Sequence, residues 1–297
     1  MGASRWTYSN SHRIGETETS SSKTHINQFL EEMLKDARIS DEKVQNIKNR
    51  IDEIKNKLEK CDVEIEDISW EGSYSKKTYV EGLSDIDLLV CLGTYSETTF
   101  EYKDNSRNAL RRLAEIIHER YPKTSTEIGK MAVTVTFSDG IELQFLPAFK
   151  YHTGYKIPDP SGDGWIVSYP RRFKQELIER NKSLSWKLKP TIRLIKNLFE
   201  KNDINISSYH LENLALTSLE NYNGTNNYVD IITHILSKSK VKIFYKMPDI
   251  SEQSTYVDDY LGNSHNEKRG DISKKISKIE NSLKTLEYSK WEDLFGR

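Results

Sequence analysis

Apolar positions in this chain fall into two regimes, a strand-rich first half and a helical second half. Ile26, Phe29, Leu30, Met33 and Leu34 share one helical face, and Val44, Ile47, Ile51, Ile54 and Leu58 share a longer one behind the start signal Ser40-Asp41-Glu42. Positions 64–70 are short and mixed, Ile86–Leu92 is almost continuously apolar, and 132–137 alternates up to a turn at Ser138-Asp139-Gly140. The segment 141–149 then returns as a second strand, which predicts a hairpin. Between the strands, Ser106–Arg120 predicts a helix that buries Leu110, Leu113, Ile116 and Ile117. From 151 to 169, Gly154, Pro158, Pro160, Gly162 and Gly164 break every period, which predicts a long surface connection and a lobe boundary. Beyond it the spacing predicts helices over 171–180, 183–201, 208–221 and 226–239, and a last one marked by Ile272, Ile276, Ile279, Leu283 and Leu286. That last stripe spans barely two heptads, so it is read as packing against its own lobe. This order predicts an α+β fold, with a flexible Ser/Thr-rich leader over 1–23, a first lobe over 24–165 and a helical lobe over 166–297.

Charge and cysteine content narrow the function. Lys and Arg number 44 against 45 acidic residues, so the chain has no net basic field to grip long double-stranded nucleic acid. Cys61 and Cys91 lack metal-ligand spacing, and no histidines cluster, so neither a disulfide framework nor a zinc site is signalled. A reducing cytoplasm fits that usage. The sequence holds no run of ~20 apolar residues that would span a membrane, and the leader lacks the apolar core of a secretion signal.

The candidate chemistry lies in residues 71–92, at Asp85-Ile86-Asp87. On a strand these two carboxylates project from one face ~6.6 Å apart, while Ile86 and Leu88 enter the other. The unbroken run Leu88-Leu89-Val90-Cys91-Leu92 belongs to a strand buried on both faces, where paired carboxylates repel one another unless cations neutralise them. Oxygen ligands of this kind suit Mg2+. Gly72-Ser73 adds a place where phosphate can approach the backbone and meet a hydroxyl. Glu142 and Gln144 share one face of the strand that follows, and Glu142 is the acid there that could complete the cluster and act as base.

With these residues in place the chain resembles the polymerase-β-like nucleotidyltransferases. Within them it is similar to the branch of cyclic GMP-AMP synthase, oligoadenylate synthase and the bacterial CD-NTases, over roughly residues 40–285. The stretch from Gly72-Ser73 through Lys76-Lys77-Thr78 to Ser84-Asp85-Ile86-Asp87 carries the likeness, with Lys77 where glycine is usual. Leu188-Lys189-Pro190-Thr191-Ile192-Arg193-Leu194-Ile195-Lys196 is similar to the helix whose last lysine contacts the donor triphosphate. Its spacing puts Lys189, Arg193 and Lys196 on one face, as a basic ridge, and Leu188, Ile192, Ile195 and Phe199 on the other. Ser207-Ser208-Tyr209-His210 is similar to a tetrapeptide whose serine reaches phosphate and whose tyrosine stacks on a base, roles that fall on Ser208 and Tyr209.

The resemblance implies a mixed-sheet lobe and a helical lobe with the active site in the cleft between them. It implies nucleoside triphosphate substrates and two Mg2+ ions, with Mn2+ able to substitute, held by Asp85, Asp87 and Glu142. It also implies a monomer whose cyclic di- or trinucleotide product activates a separate effector in anti-phage (CBASS) signalling. One departure is material: in oligoadenylate synthases the third acid lies three residues before the proline of a Leu-Pro-Ala-Phe run, a position that here is Gln144, with Glu142 two residues earlier. Two other readings stay open, a nucleotidyltransferase that extends RNA or tRNA and a non-catalytic nucleotide-binding module.

Overall fold

The computed structural model describes residues 6–36, 39–61, 63–93 and 105–297, with side chains described from residue 20 onward. Contacts divide the chain into a sheet unit, Ile39–Ile178 with Pro248–Val257, and a helical unit, Met1–Arg38 with Glu179–Met247 and Asp258–Arg297. The helical unit thus gathers segments from both ends of the chain.

In the sheet unit, α2 (Asp41–Lys60) leads into β1 (Ile65–Trp70), the short α3 (Gly72–Lys76) and β2 (Ile86–Leu92). There follow α4 (Ser106–Arg120), β3 (Ser125–Ile128), β4 (Val133–Thr136), β5 (Glu142–Tyr151), β6 (Gly154–Pro158) and β7 (Trp165–Ser168). The strands form one mixed sheet in the order β1-β2-β5-β4-β3, with β6 pairing the far end of β5 and β7 pairing β6. Only the β2–β5 pair is parallel among the described strands.

The apolar run of β2 sets this arrangement. Leu88, Val90 and Leu92 pack on one face with Ile47, Ile54 and Leu58 of α2 and Leu110, Leu113 and Ile117 of α4. Leu89 packs on the other face with Ala148 and Ile157. A strand covered on both sides has no polar positions to spare, which is why the run is continuous. The Ser40 hydroxyl accepts from the Lys43 N–H and caps α2 where the sequence places its start.

Several expectations need correction. The segment 151–169 is the β6–β7 hairpin with its flanks, not a bare connection. Gly154 marks a close pairing there, because a Cβ would come 2.3 Å from the Ser168 carbonyl oxygen. The expected helix 183–201 is broken. α5 (Pro170–Ser183) and α6 (Leu188–Lys201) are separated by left-handed Ser185 (φ 51°) and Trp186 (φ 65°), a turn that apolar spacing does not encode. The first five residues of the expected leader lie outside the described residues, and from Trp6 the rest belongs to α1 (Trp6–Asp36).

α7 (Ser208–Ser218), α8 (Tyr228–Lys242), α9 (Glu267–Leu283) and α10 (Tyr288–Phe295) complete the helical unit. Leu286 falls beyond α9 in a left-handed turn (φ 55°) rather than on its stripe. Among the described residues no helix is long and apolar enough to cross a membrane.

The helical unit encloses a complete ion pair. Arg269 and Asp258 are fully buried, with Arg269 Nη1 2.6 Å from Asp258 Oδ2. The guanidinium also donates to the carbonyls of Ile243, Tyr245, Asp258, Gly262 and Asn263. Asp258→Ala leaves that cation uncompensated, so it is expected to lower unfolding free energy by about 3–5 kcal/mol in urea titrations. A loss below about 1 kcal/mol contradicts this account of the clamp.

Candidate functional site

Two sequence motifs meet in the sheet unit because β1 and β2 are neighbours. Trp70 pairs with Leu88, and the Glu71 N–H donates to the Asp87 carbonyl at 2.8 Å, so the chain leaves β1 beside the start of β2. Gly72 then takes φ 55°, and a Cβ placed on it would sit 1.6 Å from Asp87 Oδ2. Only glycine leaves room for that carboxylate. The next residue, Ser73, is 4% exposed, and its Oγ has no hydrogen-bond partner. Its carbonyl accepts from the Thr78 N–H at 2.9 Å, which closes α3 into a tight loop.

That loop ends at Lys77, which is left-handed at φ 62°. Glycine takes this conformation without penalty, whereas Lys77 takes it with a strain of about 1 kcal/mol. The Ser84 hydroxyl accepts from the Val80 N–H at 3.2 Å and folds the turn that delivers Asp85 to β2.

Asp85 and Asp87 stand as the alternation predicted, with Ile86 and Leu88 buried in the core on the opposite side. Asp85 is exposed and Asp87 half-buried. The parallel register sets Asp87 beside Gln144, and the Gln144 amide donates to Asp85 Oδ2 at 2.9 Å. Glu142 opens β5 on the same face, but Thr136 of β4, its register partner, donates to its Oε2 at 3.4 Å. The residue that bridges to the aspartates is therefore the amide at 144, not the acid at 142. Among the described residues no three acidic, histidine or cysteine side chains come close enough to form a ready metal cluster. Two hard-oxygen carboxylates on one face, against a glycine that a Cβ would close and a buried serine hydroxyl with no partner, do fit Mg2+ carrying a phosphate.

Two nearby cations, Lys174 and Arg171, were missed by the sequence reading. Lys174, Lys76 and Arg171 each act to lower the Glu71 carboxyl pKa, although burial outweighs them and holds it above the usual range. Lys174 and Arg171 belong to α5, whose stripe gave no sign that its first turns join the sheet unit.

The predicted basic ridge on α6 is placed differently. Leu188, Ile192, Ile195 and Phe199 are buried as expected, but Lys196 is only 7% exposed and its Nζ lies 3.3 Å from Oε1 of the fully buried Glu212. Arg193 Nη2 donates to the Leu34 carbonyl at 3.1 Å, tying α6 to the end of α1. Lys189 is half-buried, and its N–H donates to Asn181 Oδ1. α6 is packed around more of its circumference than a one-sided stripe implies. Ser207 is the N-cap of α7, its hydroxyl accepting from the His210 N–H, and Ser208 and Tyr209 are the half-buried first residues of that helix.

A model of the Second Messenger Oligonucleotide or Dinucleotide Synthetase domain matches residues 24–181, more than half of the chain. The chain belongs to this family. As a CD-NTase it is a nucleotidyltransferase of the cyclic nucleotide synthase type. It is 23% identical over 212 residues to the cyclic nucleotide synthase CdnE01 of Staphylococcus haemolyticus, covering 56% of this chain and 69% of the relative. It is 25% identical over 254 residues to a probable cyclic nucleotide synthase of Bacillus cereus, covering 73% of this chain and 67% of the relative. The fold is similar to that of CdnC from Escherichia coli MS115-1, solved with ATP (TM-score 0.67, 14% identity, 93% of this chain and 97% of that one). It is also similar to the Vibrio cholerae di-nucleotide cyclase DncV (TM-score 0.62, 12% identity, 78% of this chain and 69% of that one). The α+β, polymerase-β-like expectation therefore holds.

Two outcomes follow for this CD-NTase. Gly72→Ala is expected to destabilise the protein by about 2 kcal/mol more than Gly82→Ala. Both glycines have positive φ, but a Cβ on Gly82 meets nothing within 4 Å. Equal losses in urea unfolding contradict the close approach to Asp87. The second outcome concerns His210, whose burial pushes its pKa from 6.5 down to about 4, with Asp258 opposing the shift and Arg269 adding to it. The unfolded chain takes up that proton near pH 6.5 and the folded protein only near 4. His210 is thus without penalty above about pH 6.5, and stability falls as pH drops from there to about 4, by on the order of 3 kcal/mol. His210→Gln is expected to flatten the fall in thermal midpoint over that window.

Proposed function

We propose that the chain joins nucleoside triphosphates into a cyclic di- or trinucleotide at the face bearing Asp85 and Asp87. The observation that carries this reading is the backbone of Gly72 lying against the Asp87 carboxylate with the Ser73 hydroxyl buried and without a partner beside it. A phosphate oxygen is the acceptor that such a hydroxyl lacks. In this reading Asp85 and Asp87, with Glu142 once its carboxylate leaves Thr136, would hold two Mg2+ ions, or Mn2+ in their place, which would supply charge neutralisation for the phosphate and for pyrophosphate. A ribose hydroxyl oxygen attacks the α-phosphorus, the bond to the β-phosphate bridge breaks, and pyrophosphate leaves. Glu142 takes the proton of the attacking hydroxyl.

Gln144 keeps Asp85 oriented through its amide. Lys189, Arg193 and Lys196 supply positive charge for the triphosphate, Lys196 by exchanging Glu212 for phosphate, and Ser208 and Tyr209 take phosphate and base. The sheet unit bears the residues of the proposed chemistry, and the helical unit bears those proposed for base and triphosphate. The relatives' names and the solution of CdnC with ATP support a nucleotide substrate class. CdnC has also been solved with a HORMA protein, which supports a partnered signalling role. The product would activate a separate effector against phage, with the enzyme acting as a cytoplasmic monomer.

A second reading rests on Gln144. An amide where the third acid is expected supplies no negative charge, and it favours a module that binds triphosphate without turning it over. Asp85→Asn with Asp87→Asn is expected to keep the circular dichroism spectrum and to abolish pyrophosphate release from mixed triphosphates and Mg2+. Release at the wild-type rate by this double variant refutes the assignment. Triphosphate binding by the wild type with no release establishes the second reading.

A further inference from the structure

α7 begins at an unusually constrained corner, and the constraint comes from a residue distant in sequence. The Ser207 backbone N–H donates to the Tyr260 hydroxyl at 2.8 Å, and the same hydroxyl lies 3.0 Å from His210 Nδ1. Tyr260 sits on the single turn Asp259–Leu261, directly after Asp258. That turn cannot drift. Asp258 is fully buried, its carboxylate held by Arg269 Nη1 at 2.6 Å and by the Met247 N–H at 3.0 Å, and the Asp258 carbonyl accepts from Arg269 Nη2. The Gly262 and Asn263 carbonyls close on the same guanidinium.

Tyr260 Oη accepts from the Ser207 N–H and shares one hydrogen with His210 Nδ1, given by the hydroxyl or by the ring according to the imidazole tautomer, so the bridge stands with either. Burial, which holds the His210 pKa near 4, keeps the imidazole neutral. His210 Nε2 is 4.0 Å from Asp258 Oδ2, too far for a hydrogen bond, and has no other partner. The imidazole is thus fixed through the tyrosine. Tyr260 itself remains 46% exposed, with Lys268 Nζ 5.5 Å from the ring centroid. A large aromatic ring is left in solvent while its hydroxyl is spent on the two residues that flank Ser208 and Tyr209.

We propose that Tyr260 is a positioning residue for the substrate nucleotide: its hydroxyl bridge from Ser207 to His210 holds Ser208 and Tyr209 in the orientation that receives phosphate and base. The proposal rests on the assignment of Ser208 and Tyr209 to the nucleotide. Removal of the hydroxyl leaves the ring, the Arg269 clamp and the helix in place and frees only the corner. A net hydrogen bond of this kind corresponds to roughly a tenfold change in an equilibrium constant.

The test compares the full-length wild type with Tyr260→Phe, using ATP and GTP as probes. The variant is expected to bind its preferred triphosphate about tenfold more weakly, to show the same increase in KM for pyrophosphate release, and to keep kcat. Equal affinity in the two proteins overturns the proposal. So does a fall in kcat with KM unchanged, because positioning of a bound nucleotide acts on binding. Hydrogen–deuterium exchange without nucleotide provides an independent arm. Faster exchange in the variant confined to the 207–210 amides supports the bridge, and unchanged exchange there overturns it. If the wild type binds no triphosphate, the assignment of Ser208 and Tyr209 fails, and the exchange arm still decides whether Tyr260 holds that corner.

Discussion

The sheet unit depends on one close approach, that of the Gly72 backbone to the Asp87 carboxylate. It requires a residue without Cβ, a left-handed φ, and two antiparallel strands in a fixed register, and the chain meets all three. The consequence is chemical as well as steric. A loop carrying a buried serine hydroxyl is held against an acid that stands one residue into a strand with apolar packing on both faces. Such a strand resists adjustment, so the carboxylates are presented by the rigid part of the molecule, where a cation or phosphate must conform to them.

The helical unit applies the same logic with other groups. It buries Arg269 with Asp258 and Lys196 with Glu212, and it buries Glu280 against the more exposed Lys240 and Lys284. Buried pairs of this kind contribute little net stability against well-packed apolar residues but are costly to break singly, so they fix geometry. The Arg269 clamp fixes the turn that carries Tyr260, and through it the first residues of α7. Lys196 is a different case, since a lysine already paired with a buried glutamate serves a triphosphate only by changing partner.

The parts legible in the sequence were those encoded by local period and local spacing. The run at 86–92 announced a doubly covered strand, the alternation at Asp85-Ile86-Asp87 announced two acids on one face, and Ser40 announced the start of α2. Less legible were features set by partners far along the chain. The hairpin of β6 and β7 was hidden by glycines and prolines that read as breakers, although Gly154 is there because a neighbouring strand passes too close for a side chain. The break at Ser185-Trp186 depends on left-handed backbone in residues with no preference for it. Amphipathic spacing on α6 could not reveal that Glu212 buries Lys196 or that Leu34 engages Arg193. The choice between Glu142 and Gln144 turned on register: their shared face was readable, but only strand pairing puts Gln144 beside Asp87 and Glu142 beside Thr136.

That register makes the central claim a sharp one, because the site is asked to transfer nucleotides with an amide bonded to one of its two aspartates. The most direct measurement is mass spectrometry of the products formed by the wild-type protein from the four nucleoside triphosphates with Mg2+ and no RNA. The account predicts a small phosphodiester-linked product, two or three nucleotides in size, that survives phosphatase because it has no free terminal phosphate. Recovery of unreacted triphosphates alone, or product formation only when an RNA acceptor is supplied, contradicts it.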